Sequence, residues 1–413
     1  MADLQIHPGC LTGTVEPPPS KSDAHRALIA ASLAGRPDLV SGLPERISDD
    51  LLATRRCLAA LANGESRLDC GESGTTLRLL IPVVAALGAA SAAAVTLTGA
   101  GRLPQRPLAD YQAIFAGHGL TMEFPPAASL PLQLRGRLTG GLFLVPGHVS
   151  SQYLSGLLLA LPLLGEDSEI RLTSPLESAP YVDMTLRTLR AFGIVAEARP
   201  DGYRVPGGQK YRPTAYRIEK DYSQAAFWLT AAYAGSRLEV TGLASDSVQG
   251  DRAIVQLLDD FRQGRSAYTI DAAQIPDLVP ILAVAAALTP AETRIIRAGR
   301  LRLKESDRLL ATQNALQAIG GDIIQQDDGL VIRGRSLSRI AARLAGGTAD
   351  SWSDHRIAMA LAIAALSTEQ GVLLRRWEAV RKSYPDFFQE FKRLGGEIDG
   401  LVLGTASENQ PVR

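Results

Sequence analysis

The run SKSDAHRALIAASLAG, Ser20 to Gly35, passes from a polar head straight into a stretch rich in Ala and Leu, and the pattern returns along the chain. SGTTLRLLIPVVAAL starts at Ser73 and SSQYLSGLLLALPLL at Ser150. YSQAAFWLTAAYAG starts at Tyr222, IPDLVPILAVAAAL at Ile275 and SDHRIAMALAIAALS at Ser353. With one head residue taken from each, Lys21 and Ser223 are 202 residues apart, Thr75 and Asp277 also 202, and Ser151 and Asp354 203. A triplet recurring at one offset implies a duplicated architecture: two domains, each of three related units.

None of the six stretches has the one-sided apolar stripe of a surface helix, and a helix apolar on nearly every face belongs in an interior. Between them lie short β-branched or alternating runs, such as Ala94–Gly99, Glu169–Thr173 and Leu238–Gly242, which read as strands. The expected class is therefore α/β, or mixed α+β, with sheet wrapped around buried parallel helices. Crossovers near Ser20–Lys21 and Lys220–Asp221 bracket the first triplet. They predict one domain over residues 20–220 and a discontinuous one over 1–19 plus 221–413.

Composition agrees. A chain of 413 residues exceeds what one hydrophobic core usually supports. Lys plus Arg, 43, equals Asp plus Glu, 43, so there is no global field for a nucleic-acid backbone and any anion site must be built locally. Cys10, Cys57 and Cys70 show no metal-ligand spacing, which fits a reducing cytoplasm without disulfides or structural zinc. The opening MADLQIHPG does not read as a signal peptide, and the apolar runs are too short to span a bilayer. A cytoplasmic protein without membrane or nucleic-acid partners is expected.

Buried helices whose heads face one way present free N–H groups and positive dipole ends on one surface, which suits phosphate or carboxylate. The competing reading of any single head is a plain N-cap. Ser22 and Arg26 share a helix face with Lys21 one turn earlier, so ammonium, hydroxyl and guanidinium can grip one anion. Gly71-Glu72-Ser73-Gly74 is a small-residue loop opening a helix. It lacks the P-loop ending, and no GxGxxG occurs. Arg102 and Arg106 sit on a proline-stiffened loop. Ser150, Ser151, Gln152, Ser178 and Tyr181 offer neutral donors and acceptors suited to a cyclitol-like ligand. Lys304 and Arg308, four apart, can clamp an anion beside Glu305, a proton-transfer candidate; a surface Glu–Arg pair is the alternative. Asp277 is an isolated carboxylate at a helix head.

Taken in order from Pro18 to about Phe388, PSKSxxHR, GTTLR, RPL, SSQ, SxPYVDMT, DYSQAAF, SVQGD, IPD, LKESDR, SDHRxAM and KSYPDF resemble the enolpyruvyl transferases, specifically the 5-enolpyruvylshikimate-3-phosphate synthases. The resemblance implies two domains of three βαβαββ-type units, with sheets outside and buried parallel helices, closing over a cleft. It also implies enolpyruvyl transfer from phosphoenolpyruvate to the 5-hydroxyl of shikimate 3-phosphate by a monomer, without cofactor or metal. On the shikimate 3-phosphate side it places Lys21, Ser22, Arg26, Ser150, Ser151, Gln152, Ser178, Tyr181, Asp277 and Lys304. On the phosphoenolpyruvate side it places Lys21, Gly74, Arg106, Gln152, Arg308, Arg356 and Lys382. Asp277, Glu305, Lys21 and His355 are its implied catalytic groups.

Glu72 and Arg300 depart from the family pattern, each standing where Asn is usual, and their opposite charges can offset. The nearest rival is the UDP-N-acetylglucosamine enolpyruvyl transferase, disfavoured because the head is Lys21-Ser22 and no Cys follows Cys70. A non-catalytic phosphate-binding relative is disfavoured by the intact Lys21, Asp277, Glu305 and Lys382.

Overall fold

The computed structural model describes residues 3–88, 94–335 and 344–401. Its helices are α1 (Lys21–Leu33), α2 (Asp49–Ala62), α3 (Gly74–Leu87), α4 (Ala109–Ile114), α5 (Ser151–Ala160) and α6 (Ala179–Ala191). The second series is α7 (Tyr222–Tyr233), α8 (Ala253–Arg262), α9 (Val279–Ala287), α10 (Arg308–Ala318), α11 (His355–Ala365) and α12 (Phe387–Arg393). All six repeated stretches form helices as expected. Every residue of α9 and α11 is buried, which is why neither shows an apolar stripe.

The duplication is explicit in the sheets. Arg67–Asp69 pairs parallel with Val95–Thr98, which continues antiparallel through Leu132–Gly136 to Leu120–Glu123. Gly141–Val145 pairs parallel with Ser168–Leu172, then antiparallel through Gly202–Val205 to Glu197–Arg199. The second half repeats this from Ala267–Asp271 through Glu292–Ile296 and Gly329–Arg333 to Asp322–Gln326. It does so again from Gly347–Asp350 through Val372–Arg375 and Leu4–Ile6 to Ile398–Asp399. Each half adds a two-stranded parallel pair: Val40–Ser41 with Tyr216–Arg217, and Thr12–Val15 with Arg237–Val240. Several strands alternate buried and exposed residues, as in Ala267–Asp271, so one face meets the helices and the other is solvated.

Two separate clusters of buried apolar residues result. One draws on residues between Ala24 and Ile218, the other on Leu4–Val15 together with residues from Ala226 to Ile398. The N-terminal strands join the second cluster through the pairings Leu4 with Leu374 and Thr12 with Arg237. The chain passes between the clusters twice, side by side. Ser20 N donates to Glu219 O (2.7 Å), and Asp221 N donates to Pro18 O (3.0 Å).

Close helix approach in the first half is local chemistry. Pro82 inside α3 has no N–H, which frees the carbonyl of Arg78, and Tyr111 Oη donates to that oxygen at 2.5 Å. Gly156 of α5 lies against the same turn; a Cβ there would stand 2.8 Å from Arg78 O and 3.0 Å from Pro82 Cγ. In the second half Trp228 of α7 is fully buried and stacks on Phe387 of α12 at 4.8 Å. Trp228→Ala removes the largest buried side chain of that core and should cost about 3–5 kcal/mol. Denaturant unfolding measures it; a loss below about 1 kcal/mol would show that the core repacks around the gap.

Candidate active site

The helix heads are both caps and cavity wall. Ser20, Ser73 and Ser150 accept through Oγ from Asp23 N (3.4 Å), Thr76 N (3.2 Å) and Gln152 N (3.2 Å). Asp221 accepts from Ser223 N (2.8 Å) and Gln224 N (3.1 Å), and Asp354 from Arg356 N (3.0 Å). The fifth head differs: Pro276–Leu278 makes a tight 3-10 turn ahead of α9 and holds Asp277. Residues from all six heads line one cavity between the two clusters, among them Ser20, Gly74, Ser150, Ser223, Asp277 and His355.

On the first-half wall, Lys21 Nζ meets Asp50 Oδ2 at 2.6 Å, and Lys21 N donates to Asp221 Oδ2 (3.1 Å). The buried guanidinium of Arg26 is largely engaged internally while bordering the cavity. It donates to Ser22 O (2.7 Å), Thr185 Oγ1 (2.7 Å) and Tyr181 O (2.9 Å), tying α1 to α6. Burial brings its pKa down to about 10. Arg78 Nη1 donates to Gln152 Oε1 (3.2 Å), whose Nε2 donates to Thr75 Oγ1 (2.9 Å). Gly74 is a steric requirement, because a Cβ there would lie 2.5 Å from Arg106 Nη1.

The second-half wall is built around Arg308, which is 1% exposed. Its guanidinium reaches Asp354 Oδ2 (2.9 Å), Asp277 Oδ1 (3.2 Å) and Glu305 Oε2 (2.6 Å). Arg356 Nη2 meets Asp277 Oδ2 at 2.8 Å, and its Nη1 donates to Ser223 Oγ. Pairs also cross the cleft. Arg106 Nη2 lies 3.0 Å from Glu305 Oε1, and Tyr181 Oη donates to Asp277 Oδ2 (2.9 Å).

These contacts set the protonation states. Burial alone would raise Asp277, but Arg356, Lys304 and Arg308 hold it well below the usual carboxylate range. Glu305 is likewise pushed up by burial and pulled far down by Arg106 and Arg308, with His355 and Lys304 adding. Burial lowers His355 well below its ordinary value, helped by Lys21 and Arg356, so the ring is neutral near pH 7; neither ring nitrogen has a partner. Lys304 is brought down to about 8, first by burial, with Asp277 opposing and Arg308 reinforcing.

All the residues implied by the resemblance line this cavity except Lys382. Lys382 Nζ instead meets Glu72 Oε2 at 2.6 Å and donates to Ser353 O at 3.1 Å. The two departures from the family pattern do not offset each other. Arg300 pairs with Glu177 (3.1 Å) and donates to Ser178 Oγ (2.8 Å); Ser178 itself has a left-handed backbone with φ 56°.

Lining residues absent from the sequence-derived set include Asp50, Arg78, Asp221, Gln224 and Asp251. Arg78 and Asp251 close the quoted GTTLR and SVQGD runs, and Asp221 immediately precedes the fourth head, so adjacency was a usable signal. Nothing in sequence marks Asp50, whose role depends on α2 packing beside α1. Among the described residues there is no cluster of His, Cys, Asp and Glu able to hold a metal ion, and no helix is long and apolar enough to cross a membrane.

The EPSP synthase (3-phosphoshikimate 1-carboxyvinyltransferase) family model matches residues 54–391. The chain belongs to the EPSP synthase family. Relatives from Clostridium acetobutylicum and Clostridium novyi, both named 3-phosphoshikimate 1-carboxyvinyltransferase, are 39% and 40% identical to it. Those matches cover 97% and 98% of this chain and 99% and 100% of theirs. A solved EPSP synthase from Acinetobacter baumannii has a TM-score of 0.76 at 24% identity, covering 97% of this chain and 99% of that one. The enolpyruvyl transferase NikO from Streptomyces tendae gives 0.68 at 18%, covering 96% and 98%. At those identities the two structures speak for the fold alone, which is the two-part α/β architecture expected.

Arg308 provides a test of the second-half wall. Arg308→Met leaves Asp354, with a fully buried side chain, without its guanidinium. Stripping a buried carboxylate of its partner costs about 3–5 kcal/mol. Denaturant unfolding should show that loss, and a change below about 1 kcal/mol would mean that Asp354 is satisfied by other groups.

Proposed function

We propose that this chain transfers the enolpyruvyl group of phosphoenolpyruvate to the 5-hydroxyl of shikimate 3-phosphate, releasing phosphate, in the biosynthesis of aromatic amino acids. The observation that carries this reading is membership of the EPSP synthase family over nearly the full chain. The cavity suits the chemistry: cations and carboxylates from both halves converge where two phosphorylated reactants must meet.

The reaction is an addition followed by an elimination. The 5-oxygen bonds to C2 of phosphoenolpyruvate while C3 gains a proton. Then the bond from C2 to the phosphate oxygen breaks and C3 gives a proton back, leaving an enol ether. Asp277 is assigned to the hydroxyl proton and Glu305 to the C3 proton. Lys21, Arg106, Arg308, Arg356 and Lys382 are assigned to the charge of phosphoenolpyruvate and departing phosphate. Ser22, Arg26, Ser150, Ser151, Gln152, Ser178, Tyr181 and Lys304 are assigned to the acceptor. Supporting this division, neutral hydroxyl and amide groups concentrate on the first-half wall, while Asp277 and Glu305 stand on the second. His355, neutral and without partners, is assigned a place beside the reacting carbons.

We read residues 20–220 as one domain and 1–19 plus 221–413 as the other. Two separate apolar clusters and the paired crossovers support the division. Closure of the two would exclude water, and the Glu305–Arg106 pair already spans the cleft. The chain is read as a monomer because its own two halves complete the cavity.

Purified protein given shikimate 3-phosphate and phosphoenolpyruvate should release phosphate, and UDP-N-acetylglucosamine should not replace the acceptor; the reverse preference would overturn the assignment. Glu305→Gln and Lys21→Met should each lower kcat by about a hundredfold or more, with unchanged far-UV circular dichroism. Near-normal turnover would remove that residue from the catalytic set. A pH series tests Lys304 separately. Below about 8 it carries the charge an anionic acceptor needs, and as pH rises through that value the charge is lost. KM for shikimate 3-phosphate should therefore climb between pH 7 and 9. Lys304→Arg, cationic throughout that range, should flatten the rise.

A further inference from the structure

Lys382 is the one residue of the proposed phosphoenolpyruvate set that does not line the cavity, and its surroundings supply a reason. It ends the tight helical stretch Trp377–Lys382 in the second half, while Glu72 lies on the loop leading into α3 in the first. The Lys382 ammonium, on a side chain 16% exposed, is held by the Glu72 carboxylate at 2.6 Å. The carboxylate has a built seat: a Cβ at Gly101, where φ is +59°, would lie 2.6 Å from Glu72 Cδ. Around the pair stand Asp49, Asp50 and Arg381. The Asp49 carboxyl is raised by burial and by Asp50, with Glu72 adding while Arg381 and Lys382 oppose. Asp50 in turn holds Lys21 at 2.6 Å. Two lysines at one rim of the cavity are thus each held by a carboxylate, but only Lys21 and its partner reach the lining.

We propose that Glu72 is a positioning residue for the known reaction: it keeps Lys382 outside the cavity, and an incoming phosphoenolpyruvate anion must draw the ammonium away from it. The inference rests on the preceding reading in one respect, that Lys382 meets phosphoenolpyruvate. A carboxylate and a substrate anion compete for one ammonium, so the pair weakens affinity on the phosphoenolpyruvate side and leaves the acceptor side untouched. The Glu72 side chain, 45% exposed, is left hydrated when Lys382 departs. The competition therefore involves a partly exposed ion pair, for which the effect on binding is about two- to fivefold.

The experiment is a double-mutant cycle on steady-state KM for each substrate, using the full chain with Glu72→Gln, Lys382→Met and both together. Glu72→Gln should lower KM for phosphoenolpyruvate by about two- to fivefold, with kcat and KM for shikimate 3-phosphate unchanged. Lys382→Met should raise KM for phosphoenolpyruvate, and in its background the gain from Glu72→Gln should vanish. An unchanged KM in Glu72→Gln, or a gain that survives Lys382→Met, would overturn the inference. So would a rise in both KM values, the outcome expected if the pair is chiefly a clasp between the halves. An unmodified chain that releases no phosphate would instead sink the functional reading itself, so the two failures are distinguishable.

Discussion

One buried guanidinium fixes the second half of the cavity. Arg308 opens α10 and reaches Asp354, which caps α11, Asp277 in the turn before α9, and Glu305 on the preceding loop. Charges this deep are tolerated only when paired, so three helix starts and a loop must agree in position to within a hydrogen bond. The same requirement holds Asp277 and Glu305, the groups proposed for proton transfer, accurately at the junction of separate elements. Arg356, running from α11 to Asp277, ties the arrangement to the start of α7 through Ser223.

The first half repeats the architecture but not its electrostatics. There the most deeply buried arginine is Arg26, and its partners are carbonyl and hydroxyl oxygens of Ser22, Tyr181 and Thr185 instead of carboxylates. One wall therefore consists largely of cations with neutral donors and acceptors, and the other of cations interleaved with carboxylates. A duplicated fold with different polar partners gives two chemically distinct faces from one scaffold. A reaction that joins a polyhydroxylated acceptor to a small acid can use that asymmetry.

How much of this was legible in the sequence follows from which facts are local. The six heads and their common offset were readable because capping and burial act within a few residues: Ser20, Ser73, Ser150, Asp221 and Asp354 cap as their types suggest. That the same heads line one cavity also followed, since helices of one orientation must put their starts on one surface. Pairings between distant segments were not readable. The opposite charges of Glu72 and Arg300 suggested compensation, yet they face Lys382 and Glu177 respectively. Arg26 borders the cavity as its place beside Ser22 suggests, but that most of its guanidinium also holds α1 to α6 depends on Thr185 and Tyr181, far away in sequence. Asp251 ends the quoted SVQGD run, but its burial, which with Asp277 pushes the carboxyl up to about 7, and its oxygen without a hydrogen-bond partner come from distant packing that the run does not encode.

The low pKa values of Asp277 and Glu305 look at first unsuited to the proposed proton transfer, because a strongly held carboxylate is a poor base and, staying ionised, has no proton to give. The cations responsible are Arg106, Arg308, Arg356 and Lys304, and phosphorylated reactants call on the same groups. A phosphate or carboxylate arriving among them adds negative charge beside both side chains and shares their guanidiniums. Each effect raises a neighbouring carboxyl group's pKa. Proton exchange is most efficient when that value approaches the working pH, so the substrates' own charge moves Asp277 and Glu305 in the useful direction. On the proposed assignment the carboxylates stay ionised and anchored until two anions occupy the cavity, and the binding that positions the reactants also loosens the cations' grip on Asp277 and Glu305, so that each can take up the proton it exchanges.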